Sequence, residues 1–219
     1  MSVVTITRQY GAGGSAVARH VAESLGWTLI DNDFIQQVAT RAHLPVATVA
    51  AQEERVPSLM QRLVRTLASA SPEAFVPAGG PGPAETAVAT EDEPAEEQIV
   101  RVTERVIGEA AQHGRVVLVG RGAQAVLTGW GPDTALHVYV IAPRELRVRT
   151  VMQRLGVRER EAGQTTDATD ADRDRYVQRW YRRRRQDPAN YHMVLNTGWL
   201  GYDGAAALVV AAAKSRGWS

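Results

Sequence analysis

No cysteine occurs anywhere in the chain. Disulfide bridges and thiolate metal sites are thereby excluded, and the framework of small secreted domains does not apply. Lysine is nearly absent too: Lys214, close to the C-terminus, is the only one, and every other fixed cation is an arginine. Any grip on phosphate must then come from backbone N–H groups and guanidinium forks, which match phosphate oxygens in pairs and keep their charge at any working pH. No apolar run approaches the roughly 20 residues that a membrane helix needs, and the opening MSVVTITR is too short and too β-like for a signal peptide. A cytoplasmic protein with no membrane partner is the expectation. The net charge of +1 gives no overall pull toward nucleic acid.

What is present reads as one α/β domain. The chain has 219 residues, 44% of them hydrophobic, enough to bury a sizeable core. Val3 to Ile6 is a short β-branched run. Behind the glycines that follow it, Ala16, Val17, Ala18, Val21, Ala22 and Leu25 recur at helical spacing, with Gly26 as a stop. Further strands are expected at 27–30, 115–119, 135–141 and 191–195, and helices at 34–42, 97–112, from Pro143 to 155, 172–185 and 203–216. Residues 44–70 are helix-compatible but interrupted by Pro45 and Pro57. Residues 156–170 read as polar and mobile. Between about 71 and 97 the sequence turns Pro/Gly-rich and ends in an acidic run, which predicts a flexible insertion within the domain. Strands alternating with helices predict a parallel sheet covered on both faces.

The stretch TITRQYGAGGSAVARHVAESLG, residues 5–26, holds the first chemistry. A strand, a glycine-rich turn and a helix together aim several N–H groups and a helix N-terminus at an anion. Against the pattern G-x-x-x-x-G-K-[ST], Gly13 is the second glycine and Ser15 the hydroxyl that would face magnesium. Gly14 stands where the lysine would be, and Arg8 where the first glycine would be. The strict pattern is absent. The same glycines would equally suit a tight turn that needs them only for packing.

The wider chain adds ITRQYGAGGSAVARHVAESLG, LIDNDFI, VVLVGRGAQAVL, ALHVYVIAPRELRVRTVMQRLG and YHMVLNTGWLG. Together these resemble the cytidylate kinase-like family, a branch of the P-loop nucleoside monophosphate kinases. The resemblance implies a three-layer P-loop NTPase-type fold: a parallel sheet of about five strands, helices on both faces, and a helical lid at about 156–187. It implies an ATP- and Mg²⁺-dependent transfer of the γ-phosphoryl group to CMP or a related small acceptor. Gly11, Ala12, Gly13, Gly14 and Ser15 would then hold the donor phosphates, with Ser15 on Mg²⁺, while Asp31 and Arg121 would hold the acceptor. Val119 and Gly122 occupy positions flanking Gly120-Arg121 where kinases proper carry acids. Asp31 could instead simply cap the next helix.

Seven arginines crowd the fourteen residues from Asp172 to Arg185. Continued at 100° per residue, Tyr176, Val177, Trp180 and Tyr181 share one face, and Arg173 and Arg184 fall on that side. Similar kinases close inward lid arginines over the transferring phosphoryl group, which makes Arg173 and then Arg184 the catalytic candidates. Arg8, beside the loop, is the nearest substitute for the missing lysine charge. Two readings compete with an active kinase. One is a nucleotide-binding sensor or regulator on a kinase scaffold. The other is a nucleic-acid-binding protein using the basic, aromatic-laced helix, against which the near-neutral charge and lack of a recognised motif weigh. The five histidines are scattered without ligand spacing.

Overall fold

A computed structural model describes residues 2–31, 95–131 and 133–218. Five strands form one parallel sheet: β1 (Val3–Arg8), β2 (Thr28–Ile30), β3 (Val116–Val119), β4 (Ala135–Ile141) and β5 (Met193–Asn196). Their order is β2-β3-β1-β4-β5, so the first strand lies at the centre. It pairs Val3 with Val116 on one side and with Ala135 on the other. A strand hemmed in on both sides should be apolar throughout, and Val3, Val4 and Ile6 are all buried.

Six helices accompany the sheet among the described residues: α1 (Gly14–Leu25), α2 (Ala95–His113), α3 (Ala123–Leu127), α4 (Arg144–Leu155), α5 (Glu159–Tyr181) and α6 (Thr197–Ser215). The apolar stripe of α1, Val17, Ala18, Val21 and Ala22, is buried, and a left-handed Gly26 ends the helix. That stripe joins Ala205, Ala206, Val209 and Ala213 of α6 over Val117, Val138 and Leu195 in the main core. A smaller cluster sets Val148 and Val151 of α4 against Ala162 of α5. The sheet, α1 and α3–α6 belong to one compact unit, residues 1–32 and 110–219. A second unit covers residues 33–109 and is described only from Ala95, as the leading part of α2.

Three expectations change. Residues 156–170 are not a mobile stretch: α5 starts at Glu159 and runs 23 residues. Its buried residues are Ala162, Gly163, Thr166 and Val177, and the first three are too small or polar to show as hydrophobic periodicity. The same helix ends at Tyr181 rather than Arg185, because Arg182 turns left-handed at φ 53°. The last helix begins at Thr197, six residues early, and bends at Gly201 (φ 67°, ψ 178°). The helix expected at 34–42, the helix-compatible 44–70 and nearly all of the 71–97 segment lie outside the described residues; Ala95–Glu97 open α2.

Candidate functional site

In a parallel sheet all strands deliver their carboxyl ends to one edge, where ligands collect. Here that edge receives Arg8 from β1, Asp31 from β2 and Gly120-Arg121-Gly122 from β3. All three residues of the last segment are left-handed, at φ 76°, 51° and 70°. Glycine adopts that region readily; an arginine there is held at a cost in strain, a feature that concentrates at ligand sites.

A cavity of about 270 Å³ opens at this edge, walled by Arg8, Arg121, Gln124, Arg173, Tyr176 and Arg185 among others. Four arginines thus line one small volume. Two of them are fixed by the same acceptor: Arg173 Nη1 donates to the Arg8 carbonyl at 3.1 Å and Arg185 Nη1 at 3.0 Å. Arg185, buried, also donates from Nε to Asp174 at 2.6 Å. Arg173 stacks over Tyr10 with 5.4 Å to the ring centre.

The electrostatics follow from this crowding. Burial, then Arg173, Arg185 and Arg121, push the Arg8 guanidinium down to about 9, with Asp31 acting against them. Arg173 is lowered as well, by burial first and then by Arg185 and Arg154. Burial is the larger part of both shifts, and the neighbouring guanidinium groups add repulsion to it, with Asp170 acting against them at Arg173. Arg185 goes the other way. Burial opposes its charge, and Tyr139, Asp174 and Asp170 outweigh burial. An anion entering beside Arg8 and Arg173 would relieve the repulsion.

The residues of the glycine loop, 11–15, do not line this cavity; the loop meets its wall through Gly14, which packs against the stem of Arg8. Gly13 caps α1 at φ 75°, and a Cβ there would stand 2.1 Å from Tyr202 Cε1, so both backbone and space require glycine. Ala12 is buried and its carbonyl accepts from Thr197 Oγ1 at 2.8 Å. Gly11 is left-handed, and Ser15 is exposed in the first turn of α1. Tyr10 is held by both its main-chain groups. Its N–H donates to Asp170 Oδ1 at 2.9 Å, and its carbonyl accepts from Arg147 Nη1 at 3.1 Å.

Of the sequence-predicted residues, Arg8, Arg121 and Arg173 meet in one cavity, and Asp31, half-buried at the end of β2, acts on Arg8 from close by. Arg184 does not join them. The left-handed turn at Arg182 breaks the helical register, leaving Arg184 exposed and turning Arg185 inward. Arg185, Arg147 and Asp170 were not foreseen. The only hint of Arg147 was a charged residue beside Val148 and Val151 on a buried helix stripe.

No group of three or more His, Asp or Glu side chains arranged to hold a metal occurs among the described residues. A magnesium ion would depend on the Ser15 hydroxyl together with phosphate oxygens and water, a coordination that suits its preference for keeping several waters.

Comparison with known proteins places these features. The chain aligns over 98% of its length with 99% of a solved but uncharacterized protein from Eubacterium ventriosum, at 18% identity and a TM-score of 0.68. It also shares its fold with shikimate kinases. That from Acinetobacter baumannii, solved in complex with shikimate, gives a TM-score of 0.50 at 15% identity over 100% of this chain and 96% of that one. That from Bacteroides thetaiotaomicron gives 0.51 at 12% identity over 97% and 98%. A uronate isomerase from Corynebacterium glutamicum is 33% identical over 117 residues, 53% of this chain and 22% of that protein, so the chain spans about a fifth of that relative's length. The cytidylate kinase-like family matches residues 3–198, from the central strand through α4 and α5 to the start of α6, and the chain belongs to that family.

Proposed function

We propose that this protein is a small-molecule kinase that moves the γ-phosphoryl group of ATP onto the phosphate of CMP or a related monophosphate. The observation that carries the reading is the convergence of Arg8, Arg121, Arg173 and Arg185 on one cavity at the carboxyl end of the central strands. Phosphoryl transfer asks for positioning and charge neutralisation more than for covalent chemistry, and guanidinium groups supply both. An ionised oxygen of the acceptor phosphate attacks Pγ. The bond from Pγ to the β,γ-bridging oxygen breaks, and ADP leaves with that electron pair. No proton moves, so no general base is needed.

In this reading the backbone of Gly11, Ala12, Gly13 and Gly14 and the N-terminus of α1 receive the donor phosphates. Ser15 would hold Mg²⁺, which would supply positive charge to the donor phosphates when bound. Arg121 holds the acceptor phosphate and Asp31 an acceptor hydroxyl or amine. Arg173 and Arg185 cover the transferring group, the latter in the place expected of Arg184. The inward packing of the aromatic residues supports this reading over nucleic-acid binding: Tyr176 walls the cavity, Tyr181 lies against Gly122, and Arg179 covers the Trp180 ring at 4.8 Å. One observation favours a sensor instead, since Arg173 and Arg185 already have partners within the protein.

A coupled assay for ADP release over a panel of nucleoside monophosphates decides between kinase and sensor. Turnover with one acceptor upholds the kinase. Measurable ATP or CMP binding with no turnover on any acceptor sinks it in favour of the sensor. Arg121→Ala should weaken the acceptor and spare ATP; equal loss of both would remove Arg121 from its assigned role.

A further inference from the structure

The glycine at the lysine position has a steric cause. Gly14 is buried within the first turn of α1, and its φ lies outside the left-handed region, so backbone freedom does not explain it. Space does. A Cβ at position 14 would stand 2.5 Å from Arg8 Cβ and 2.9 Å from Arg8 Cγ. Side-chain atoms do not pack that closely. The stem of Arg8 fills the volume that any side chain at 14 would need.

Arg8 ends the central strand, and its stem lies against the start of α1. Its guanidinium is close enough to Arg121, Arg173, Arg185 and Asp31 to feel the charge of each. It is also part of the cavity wall. We propose that Arg8 is a relocated catalytic cation. The positive charge ordinarily carried by the helix has moved to the end of the preceding strand, and Gly14 is the counterpart that lets it pass. Positions 8 and 14 then form one unit in which either, but not both, carries the long cationic side chain. The ligand that Arg8 meets is the terminal phosphate of a nucleoside triphosphate, so the inference rests on the kinase-site reading above.

The two halves of the idea are tested separately. The steric half needs no ligand. Gly14→Ala should lower the melting temperature of the parent by several degrees, yet cost much less when Arg8 is already glycine, which removes both the Cβ and the Cγ in its way. Equal costs in both backgrounds overturn it.

The electrostatic half uses ATP and adenosine as probes in titration calorimetry. Arg8→Met keeps the stem and removes the charge. It should weaken ATP by roughly 10- to 100-fold, the range for one charge-assisted hydrogen bond, and leave adenosine unchanged. The double variant Arg8→Gly/Gly14→Lys, which clears the space at 14, should bind ATP more tightly than Arg8→Gly alone. ATP binding that ignores Arg8→Met, or a double variant no better than Arg8→Gly, overturns the relocated cation while leaving the kinase reading intact. A parent protein that binds no ATP overturns both.

Discussion

Arg147 Nη1 lies 2.7 Å from Asp170 Oδ2, and the two side chains hold Tyr10 between them by its carbonyl and its N–H. This pair is 9% and 15% exposed and ties α4, α5 and the start of the glycine loop into one knot. Asp170 also receives Arg185 at 3.4 Å. Removing one partner of a buried ion pair leaves the other charge stranded, at about 3–5 kcal/mol. Asp170→Ala should therefore lose that much in denaturant unfolding, whereas Asp167→Ala, whose partner Arg144 is exposed, should lose less than about 1 kcal/mol. Similar losses at the two sites would show that the knot does not hold.

Arg185 and Arg184 are adjacent in sequence and opposite in setting. Arg185→Ala should unfold more easily by about 1–3 kcal/mol, since the buried hydrogen bonds of Arg185 to Asp174 and the Arg8 carbonyl are lost, and should abolish most turnover. Arg184→Ala should stay within about 0.5 kcal/mol of the parent. Denaturant curves and initial rates on both variants check this. A larger rate loss at Arg184 would restore the uninterrupted helix that sequence periodicity suggests.

The buried His137 ring makes stability depend on pH. It stacks on His192, shares a hydrogen bond with Thr5 at 2.8 Å, and is pushed down to about 4 by burial, with His192 and Arg183 adding to it. The unfolded chain protonates the same ring near 6.5. Above that pH neither state holds the proton, and stability is level for this group. As pH falls from 6.5 toward 4 only the unfolded chain gains it, so stability drops, by up to ~3 kcal/mol. Unfolding free energies measured across that window, with His137→Gln as the flattened reference, test the sign and the size.

Gly13 carries two separable constraints. Gly13→Ala should cost about 1–2 kcal/mol for the left-handed backbone and a further amount for displacing Tyr202. In a Tyr202→Ala background only the first cost should remain. Thermal unfolding of the four proteins gives the two terms, and a fully retained cost would mean that the ring yields freely.

The strands and the glycine loop were legible because their signals are local. Val3 to Ile6 and ALHVYVI are β-branched runs, and Gly11 and Gly13 stand where the backbone turns left-handed. The long α5 was not, since a stripe of Ala162, Gly163 and Thr166 is invisible to a search for large apolar residues. Arg185 was missed by one residue, because a single left-handed Arg182 resets which side chain faces inward. The close approach of Arg8 to Gly14 lay beyond the sequence altogether. It depends on how a strand end and a helix start pack in three dimensions, which no spacing encodes.

The central position of β1 has a consequence for how the molecule assembles. Thr5 meets His137 across 132 residues of chain, and Ala12 meets Thr197 across 185. Closing loops of that length must precede the contacts that reward it, so such pairings form slowly and together. The glycine loop is therefore tied through Ala12 to the start of α6, at the far end of the chain, and the geometry that would receive a ligand depends on that long-range contact being made.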